Sequence, residues 1–153
     1  MTWKLPKPIK IYEALGAVAA GRVKEEENEI RVYNSSGEKY YIVSFDQETN
    51  SIYANDNASY WQGYLGYPSI AFLFTAGLLK YRDDIANYFK EVNWKKINEK
   101  YKRKYDMVIE VVLYDAEKMG GKRDEIVEYI DSIMTQLEKL NLQKHAKRYL
   151  PPK

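Results

Sequence analysis

The chain has 153 residues, of which 45% are hydrophobic and 30% charged, and its formal net charge is +2. This length favours one domain, and this composition is typical of a folded globular protein rather than a disordered one. Cysteine is absent, which excludes disulfides and thiolate metal sites. The abundance of Lys, Glu, Ile and Tyr is also typical of proteins from hot habitats.

The first predicted element is a helix that begins at Pro8. Proline is favoured at the start of a helix, because the backbone N–H that it lacks would have no hydrogen-bond partner in the first turn. Gly21 is a plausible end for it. Its lysines and alanines also resemble a secretory signal, but Glu13 interrupts the apolar run, which favours an amphipathic helix. The longest strongly apolar run, 70–79, is shorter than the ~20 residues that a bilayer span needs. We therefore predict a cytoplasmic protein that does not contact a membrane.

Three strand patterns follow, over residues 29–34, 38–46 and 51–55, each with alternating apolar and polar side chains. Short turn signals separate them, including Ser35-Ser36-Gly37. Short turns between successive strands predict an antiparallel meander. The acidic run 25–27 is interpreted as a solvated turn ahead of the first strand.

A second helix is predicted from Pro68 to Leu79, where apolar side chains occur nearly all round. A helix that is apolar on every side is buried, so we place this one at the centre of the core. A short helix is expected to follow at Asp83, because carboxylates are favoured in a first helical turn.

The C-terminal third is predicted to form an antiparallel helical hairpin. Its first helix begins at Asn93, a favoured N-cap residue, and continues as one element to Gly120-Gly121. Its second helix carries apolar residues from Ile126 to Leu140 at near-heptad spacing. The β-branched run 108–114 is compatible with a strand instead, but the periodicity on either side favours a helix.

These elements predict an α+β fold in a single domain over residues 1–153. The N-terminal helix and the central buried helix pack on a three-stranded antiparallel meander, and the long C-terminal helical hairpin follows. Residues 1–79 form the helix–sheet–helix core, residues 80–150 form the helical part, and residues 151–153 are a tail that we predict to be disordered.

Several kinds of chemistry lack their residues. His145 is the only histidine, which argues against a Ser-His-Asp or Cys-His arrangement and against a zinc site. No glycine-rich phosphate loop of the P-loop or dinucleotide type occurs. We therefore expect no metal, no cofactor and no catalytic residues, while catalysis by carboxylates alone, or a metal held by carboxylate oxygens, stays open.

The loop 55–68 combines aromatic, amide and carboxyl side chains with two glycines, between a strand and the buried helix. One hypothesis is a site for a small molecule or peptide, or an enzyme active site, in which aromatic faces and amides orient a ligand. A second is structural, with the aromatic side chains covering the core, and a third is a dimer interface. The candidate residues are Asp56, Asn57, Tyr60, Trp61, Gln62, Tyr64 and Tyr67.

Charge is distributed unevenly along the predicted hairpin. Residues 93–105 hold six bases and one acid, residues 106–138 hold nine acids and three bases, and no acid follows Glu138. An antiparallel hairpin brings the start of its first helix beside the end of its second, so we predict one cationic cluster there. Its candidate members are Lys95, Lys96, Lys100, Lys102, Arg103, Lys104, Lys139, Lys144, Lys147 and Arg148.

Such a cluster suits an anionic partner, and nucleic acid bound without sequence preference is the natural candidate. The alternative is a solvated face whose lysine stems cover apolar surface. The near-heptad spacing and the many tyrosines also predict a homo-oligomer, most simply a two-fold dimer. We therefore expect a non-enzymatic interaction protein, and the alternative is a small-molecule binder or enzyme with its site at the loop 55–68.

The segment Ile11-Tyr12-Glu13-Ala14-Leu15-Gly16 resembles the opening helix of winged-helix proteins. The two further helices expected before the wing are absent, so the function of that family is not carried over. The composition as a whole resembles that of small conserved archaeal proteins of unassigned function, and it implies no residue roles.

Overall fold

The structure is a computed structural model that describes all residues, 1–153. It is an α+β fold, as predicted. The helices are α1 (Ile9–Ala19), α2 (Tyr67–Thr75), α3 (Asp83–Ala86), α4 (Trp94–Lys100), α5 (Tyr105–Lys118) and α6 (Arg123–Leu140). The strands are β1 (Val23–Glu26), β2 (Glu29–Tyr33), β3 (Tyr40–Asp46), β4 (Ser51–Ala54) and β5 (Gln143–Lys144). A π-helical turn covers Ala58–Gln62 and a 3-10 turn covers Asn87–Phe89.

The strands form one sheet in the order β1-β2-β3-β4-β5. The antiparallel meander of β2, β3 and β4 is confirmed, with Val43 of β3 paired to Ile30 on one side and Ala54 on the other. The predicted count of three strands was wrong, because β1 and β5 extend the sheet at its two edges. β1 is antiparallel to β2, whereas β5 is parallel to β4.

Within the acidic run 25–27, Glu27 lies in an exposed turn as predicted, but Glu25 and Glu26 belong to β1, so the interpretation of the whole run as a turn was wrong. Glu27 and Asn28 both have positive φ, 50° and 64°, which suits the tight two-residue turn between β1 and β2. The buried guanidinium of Arg31 explains the carboxylates, because it donates to Glu26 at 3.2 Å, Glu27 at 3.1 Å and Glu29 at 2.9 Å. The charges therefore stabilise an edge hairpin.

The core is one contiguous cluster of 33 buried apolar residues that draws on the sheet and on most helices. α2 lies at its centre, as predicted, with Ile70 and Leu73 fully buried. α1 packs against α2 and also against α5 and α6. The sheet and the helical hairpin therefore share this one cluster, and α1 lies between them.

The helical hairpin of the C-terminal third is confirmed for α5 and α6, and the run 108–114 is helical. Arg123 at the start of α6 donates to Glu110 at 2.7 Å and to Glu117 at 3.1 Å, which holds the two helices together beside Gly120-Gly121. The near-heptad apolar residues of α6, including Ile133 and Leu137, are buried in the core. That spacing therefore serves the fold of one chain and is not free to form a coiled coil with a second.

The first helix of the predicted hairpin is not continuous, and this expectation was wrong. Lys102 and Arg103 have positive φ, 52° and 61°, so the chain reverses between α4 and α5. Asn93 does cap α4, its side chain accepting from the backbone N–H of Lys96 at 3.1 Å. The reversal brings α4 back into contact with α5, and Ile97 of α4 packs against the core.

Residues after α6 complete the edge of the sheet. Gln143 and Lys144 pair with Ser51 and Ile52 of β4, and the N–H of Trp3 donates to the carbonyl of Leu142 at 3.1 Å. Leu150, directly before the tail that was predicted to be disordered, is held in place, because its carbonyl accepts a hydrogen bond from the side chain of Asn55 at 2.9 Å. The segments 1–4 and 142–150 therefore lie together beside β4 and the loop that follows it.

Candidate anion-binding surface

Asp56 lies inside the loop 55–68, where its carboxyl group closes the π-helical turn. The side-chain hydroxyl of Ser59 donates to it at 2.7 Å and the Ser59 N–H at 3.3 Å. Gly66 leaves room for the carboxyl, because a Cβ at that position would collide with Oδ2 of Asp56. Burial raises the pKa of Asp56 from 3.8 to about 6, against the smaller opposing effects of the two Ser59 hydrogen bonds and of Lys10. Asp56 is therefore a structural anchor of the loop.

The other loop residues divide between surface and interior. Trp61 is 70% exposed and its ring lies edge-to-face on Tyr60, with centroids 4.6 Å apart. Asn57 and Gln62 are also exposed. Tyr67 instead faces inward against Tyr41, at 5.9 Å between ring centroids, and burial raises the pKa of its hydroxyl. The predicted set is therefore not one site.

The C-terminal cations lie against this loop and the neighbouring strand. The guanidinium of Arg148 lies 4.8 Å from the ring centroid of Tyr60 and 5.3 Å from that of Tyr53, and its Nε donates to the Tyr53 hydroxyl at 3.1 Å. The ammonium of Lys144 lies 5.1 Å from the ring of Trp3. Two groups that the sequence analysis assigned to separate surfaces are therefore neighbours.

Lysines of the N-terminal segment continue the same surface, and sequence reasoning missed them. The ammonium of Lys4 lies 5.1 Å from the ring of Tyr64, and the Lys4 backbone bridges to Gly63 and Leu65. Those of Lys7 and Lys10 lie 5.6 and 5.4 Å from the ring of Tyr105 at the start of α5. The basic–aromatic surface, as we call it, consists of Lys4, Lys7, Lys10, Lys144 and Arg148 with Trp3, Tyr53, Tyr60, Trp61, Tyr64 and Tyr105.

A signal for this surface was present in the sequence. The three segments 1–12, 57–67 and 139–153 together contain eight Lys or Arg residues and no acid. The rest of the chain holds 16 bases and 22 acids, so the net positive charge is concentrated in these segments. These segments are distant in sequence, so their positive charges form one surface only because segments 1–4 and 141–144 pair beside β4.

The predicted meeting of the α4 lysines with the C-terminal cations does not occur, because α4 runs back along α5. Lys96 and Lys100 line a groove with Asp115, Lys118 and Met119, near the closed end of the hairpin. Lys95 lies beside them on α4. Lys102 and Arg103 occupy the exposed turn, and Lys104 directly precedes Tyr105 and so adjoins the basic–aromatic surface. Lys139 in the last turn of α6 and Lys147, whose ammonium lies 5.5 Å from the ring of Tyr149, are exposed.

No group of three or more His, Asp or Glu side chains is arranged to hold a metal ion. Two open pockets lie on α4 and α5, and neither is lined by a residue of the loop 55–68. None of the helices is long and apolar enough to cross a lipid bilayer.

The chain thus combines an α+β fold with a surface on which cations contact aromatic rings, of which Trp61 is exposed while Trp3 and Tyr53 are buried. It belongs to the family described as uncharacterised conserved protein UCP014422, which it matches over residues 3–143. The matched range covers the fold from the N-terminal segment to the start of β5 and ends just before Lys144. No curated protein and no solved structure shows significant similarity to the chain.

Proposed function

We propose that this chain is a non-enzymatic binding protein that contacts an anionic polymer, of which nucleic acid is the natural class, through the basic–aromatic surface. The observation that carries the proposal is the interleaving of five cations with aromatic rings along one surface, on which Lys10 pairs with Glu13 at 3.7 Å and the other four cations form no ion pair. Cations neutralise phosphates, and aromatic rings stack on bases of any sequence. A surface with both is suited to a single strand, whose bases are accessible.

Trp61 is the ring that is free to stack. The rings of Trp3, Tyr53, Tyr60, Tyr64 and Tyr105 each lie within 6 Å of a cation of the same chain. Trp61 has no such cation on its exposed side and lies beside Tyr60. It therefore offers a platform for one base. Arg148 contacts Tyr60, Lys144 lies beside Gly63 and Lys4 contacts Tyr64 in the same loop, so these three cations are the candidates to meet phosphates. No side chain is placed as a base-edge reader, so we expect little sequence preference.

The alternative of a small-molecule or enzyme site at the loop 55–68 has less support. The Asp56 carboxyl already accepts two hydrogen bonds from Ser59, which leaves it less available to a ligand. The exposed part of the loop, Trp61 and Gln62, faces solvent rather than a closed space. The loop supports contact with an extended partner better than enclosure of a small one.

The test is fluorescence anisotropy of labelled single-stranded oligonucleotides across a range of salt concentrations. If the four cations Lys4, Lys7, Lys144 and Arg148 meet phosphates, the slope of log K against log salt is about −3, and a roughly fourfold rise in salt weakens binding about 50-fold. Lys4→Gln combined with Lys144→Gln is expected to halve the slope. The matched control removes the same charge away from this surface, on β1 and the β2–β3 turn, with Lys24→Gln and Lys39→Gln.

Trp61→Ala separates stacking from charge. We expect it to cost about 1–3 kcal/mol of binding free energy while the salt slope stays the same. No binding of single strands at low salt would overturn the proposal, and so would equal effects of the two lysine pairs. Sedimentation of the Trp61→Ala variant in parallel tests the loop as a dimer interface, because loss of a dimer would assign Trp61 to self-association.

The cytoplasmic location and the thermophilic and archaeal character belong to this proposal as well. They are supported by composition alone, through the absence of cysteine and the abundance of Lys, Glu, Ile and Tyr. Fractionation of the native host followed by immunoblotting is the measurement that checks the location.

A further inference from the structure

A surface independent of the proposed anion-binding region lies on α4 and α5. A groove of about 640 Å³ runs between the two helices, and a second of about 450 Å³ lies at the start of α5. Tyr101 and Val111 line both grooves, which therefore form one continuous surface. We call it the α4–α5 face and define it by Ile97, Tyr101, Met107, Val111, Tyr114 and Met119.

The face exposes large apolar side chains in a regular row. Met107, Val111 and Tyr114 follow each other along α5 at steps of four and three, which places them on one side of the helix. Met107 is 48% exposed and Tyr114 is 59% exposed, whereas Val108 and Val112 on the inner side are buried. An apolar row of this kind, with the grooves beside it, is typical of a protein contact surface.

Opposite charges border the two sides of the row. Lys96 and Lys100 stand on the α4 side, where Glu91 also lies, and Asp106 and Asp115 stand on the α5 side, where Glu110 and Lys118 are paired within the chain. Asp115 pairs with Lys118 at 3.2 Å. Lys96, Lys100 and Asp106 take part in none of the ion pairs within the chain. These three border charges are thus available to a partner.

We infer that the α4–α5 face binds a second copy of this chain across a two-fold axis. A two-fold interface must complement itself, and a basic border on one side of an apolar row with an acidic border on the other meets that condition. Rotation about the axis sets Lys96 and Lys100 of one copy against Asp106 and Asp115 of the other. A partner of uniform charge would instead meet repulsion along one border.

The near-heptad spacing that predicted a dimer from sequence belongs to α6 and is buried, so it does not provide this contact. The row on α5 has similar spacing and is exposed. The α4–α5 face also differs in its residues from the basic–aromatic surface. Asp106, on the border of the face, directly follows Tyr105 of that surface, so a dimer formed here would leave free the part of it that holds Lys4, Lys144 and Arg148.

The test is sedimentation equilibrium of the parent chain and of charge-exchanged variants, from low micromolar to submillimolar concentration. One variant carries Lys96→Glu and Lys100→Glu, and the other carries Asp106→Lys and Asp115→Lys. Each alone sets like charges opposite one another, so we expect its dissociation constant to rise at least ~tenfold. In an equal mixture of the two variants, a heterodimer sets opposite charges against each other at both of its charged contacts. We therefore expect heterodimers to form in the same concentration range as the parent dimer.

Two further variants complete the experiment. Tyr114→Glu introduces a charge at the most exposed residue of the row and is expected to give monomers, with circular dichroism confirming that the fold is kept. Lys24→Glu with Lys39→Glu makes the same charge change on β1 and the β2–β3 turn and is expected to leave the dimer intact. A parent chain that is monomeric throughout, a Tyr114→Glu variant that dimerises like the parent, or a mixture that stays monomeric would each overturn the inference.

Discussion

Asp56 gives the sharpest prediction about stability, because its carboxyl is buried and its charge has no ion-pair partner. Its pKa is about 6 in the folded chain and 3.8 when unperturbed. The difference of about two corresponds to roughly 3 kcal/mol, since one pKa unit is ~1.4 kcal/mol. The folded state binds this proton more tightly than the unfolded state. The associated stability is therefore fully present below pH 3.8 and is lost as the pH rises through about 6.

Asp56→Asn removes the titration while keeping an oxygen that accepts from Ser59. We expect the variant to match the parent near pH 4 and to exceed it by up to about 3 kcal/mol near pH 8 in free energy of unfolding. Urea denaturation at several pH values and constant ionic strength measures this difference. The difference between the unfolding free energies of the two proteins cancels the contributions of all groups that titrate alike in both.

Asp84 supplies a control of opposite sign. Its hydrogen bond from Arg82, 2.7 Å long, lowers the pKa of this carboxyl. Asp84→Asn is therefore expected to be less stable than the parent at neutral pH, and the difference should vanish in acid. A flat difference curve for Asp56→Asn between about pH 4 and pH 8, or one in which the parent gains stability as the pH rises, would refute the argument from burial.

Three further changes test the packing. Gly66→Ala should destabilise the chain by about 1–3 kcal/mol, because its Cβ would force the Asp56 carboxyl out of place. Ile133→Ala should cost about 2–5 kcal/mol, since this side chain is fully buried on α6. Arg103→Gly should instead stabilise the chain by roughly 0.5–1 kcal/mol, because glycine adopts the φ of 61° without strain. The gain is partly offset because glycine loses more backbone entropy on folding. Urea denaturation measures all three.

Each of these changes has a matched control. Thr75→Ala, at an exposed position of α2, changes side-chain volume without reaching the carboxyl of the loop and should cost less than about 1 kcal/mol. Val127→Ala shortens an apolar side chain on α6 that is 37% exposed. Lys100→Gly replaces a basic residue in regular helix, so it should destabilise by about 1 kcal/mol. A larger loss for Val127→Ala than for Ile133→Ala would contradict the assigned core.

The elements with strong periodicity were predictable because many residues in each of them indicate the same secondary structure. α1, α2 and α6 carry long apolar patterns, and β2 to β4 alternate between clear turn signals. β1 was missed because its two glutamates look solvated until Arg31 is seen to bind one of them, Glu26. β5 was missed because two residues, Gln143 and Lys144, are too few to form a pattern.

The break between α4 and α5 was hidden for a different reason. Lys102 and Arg103 have no intrinsic preference for positive φ, so tertiary packing rather than local sequence imposes the reversal. This single error displaced the predicted cationic cluster. Asp56, Tyr60 and Trp61 were correctly placed in one loop, but the contact of Arg148 with Tyr60 requires a fold that joins residues 88 positions apart.

The joining of segments 1–4 and 141–144 has a consequence for synthesis on the ribosome. Thr2 lies opposite Gln143, 141 residues later in the chain. At translation rates of roughly 5–20 residues per second, the nascent chain waits on the order of 10 s before the partner emerges. Until then the Trp3 ring and the outer edge of β4 are uncovered, so the growing polypeptide exposes an apolar surface until residues 141–144 are made and cover it.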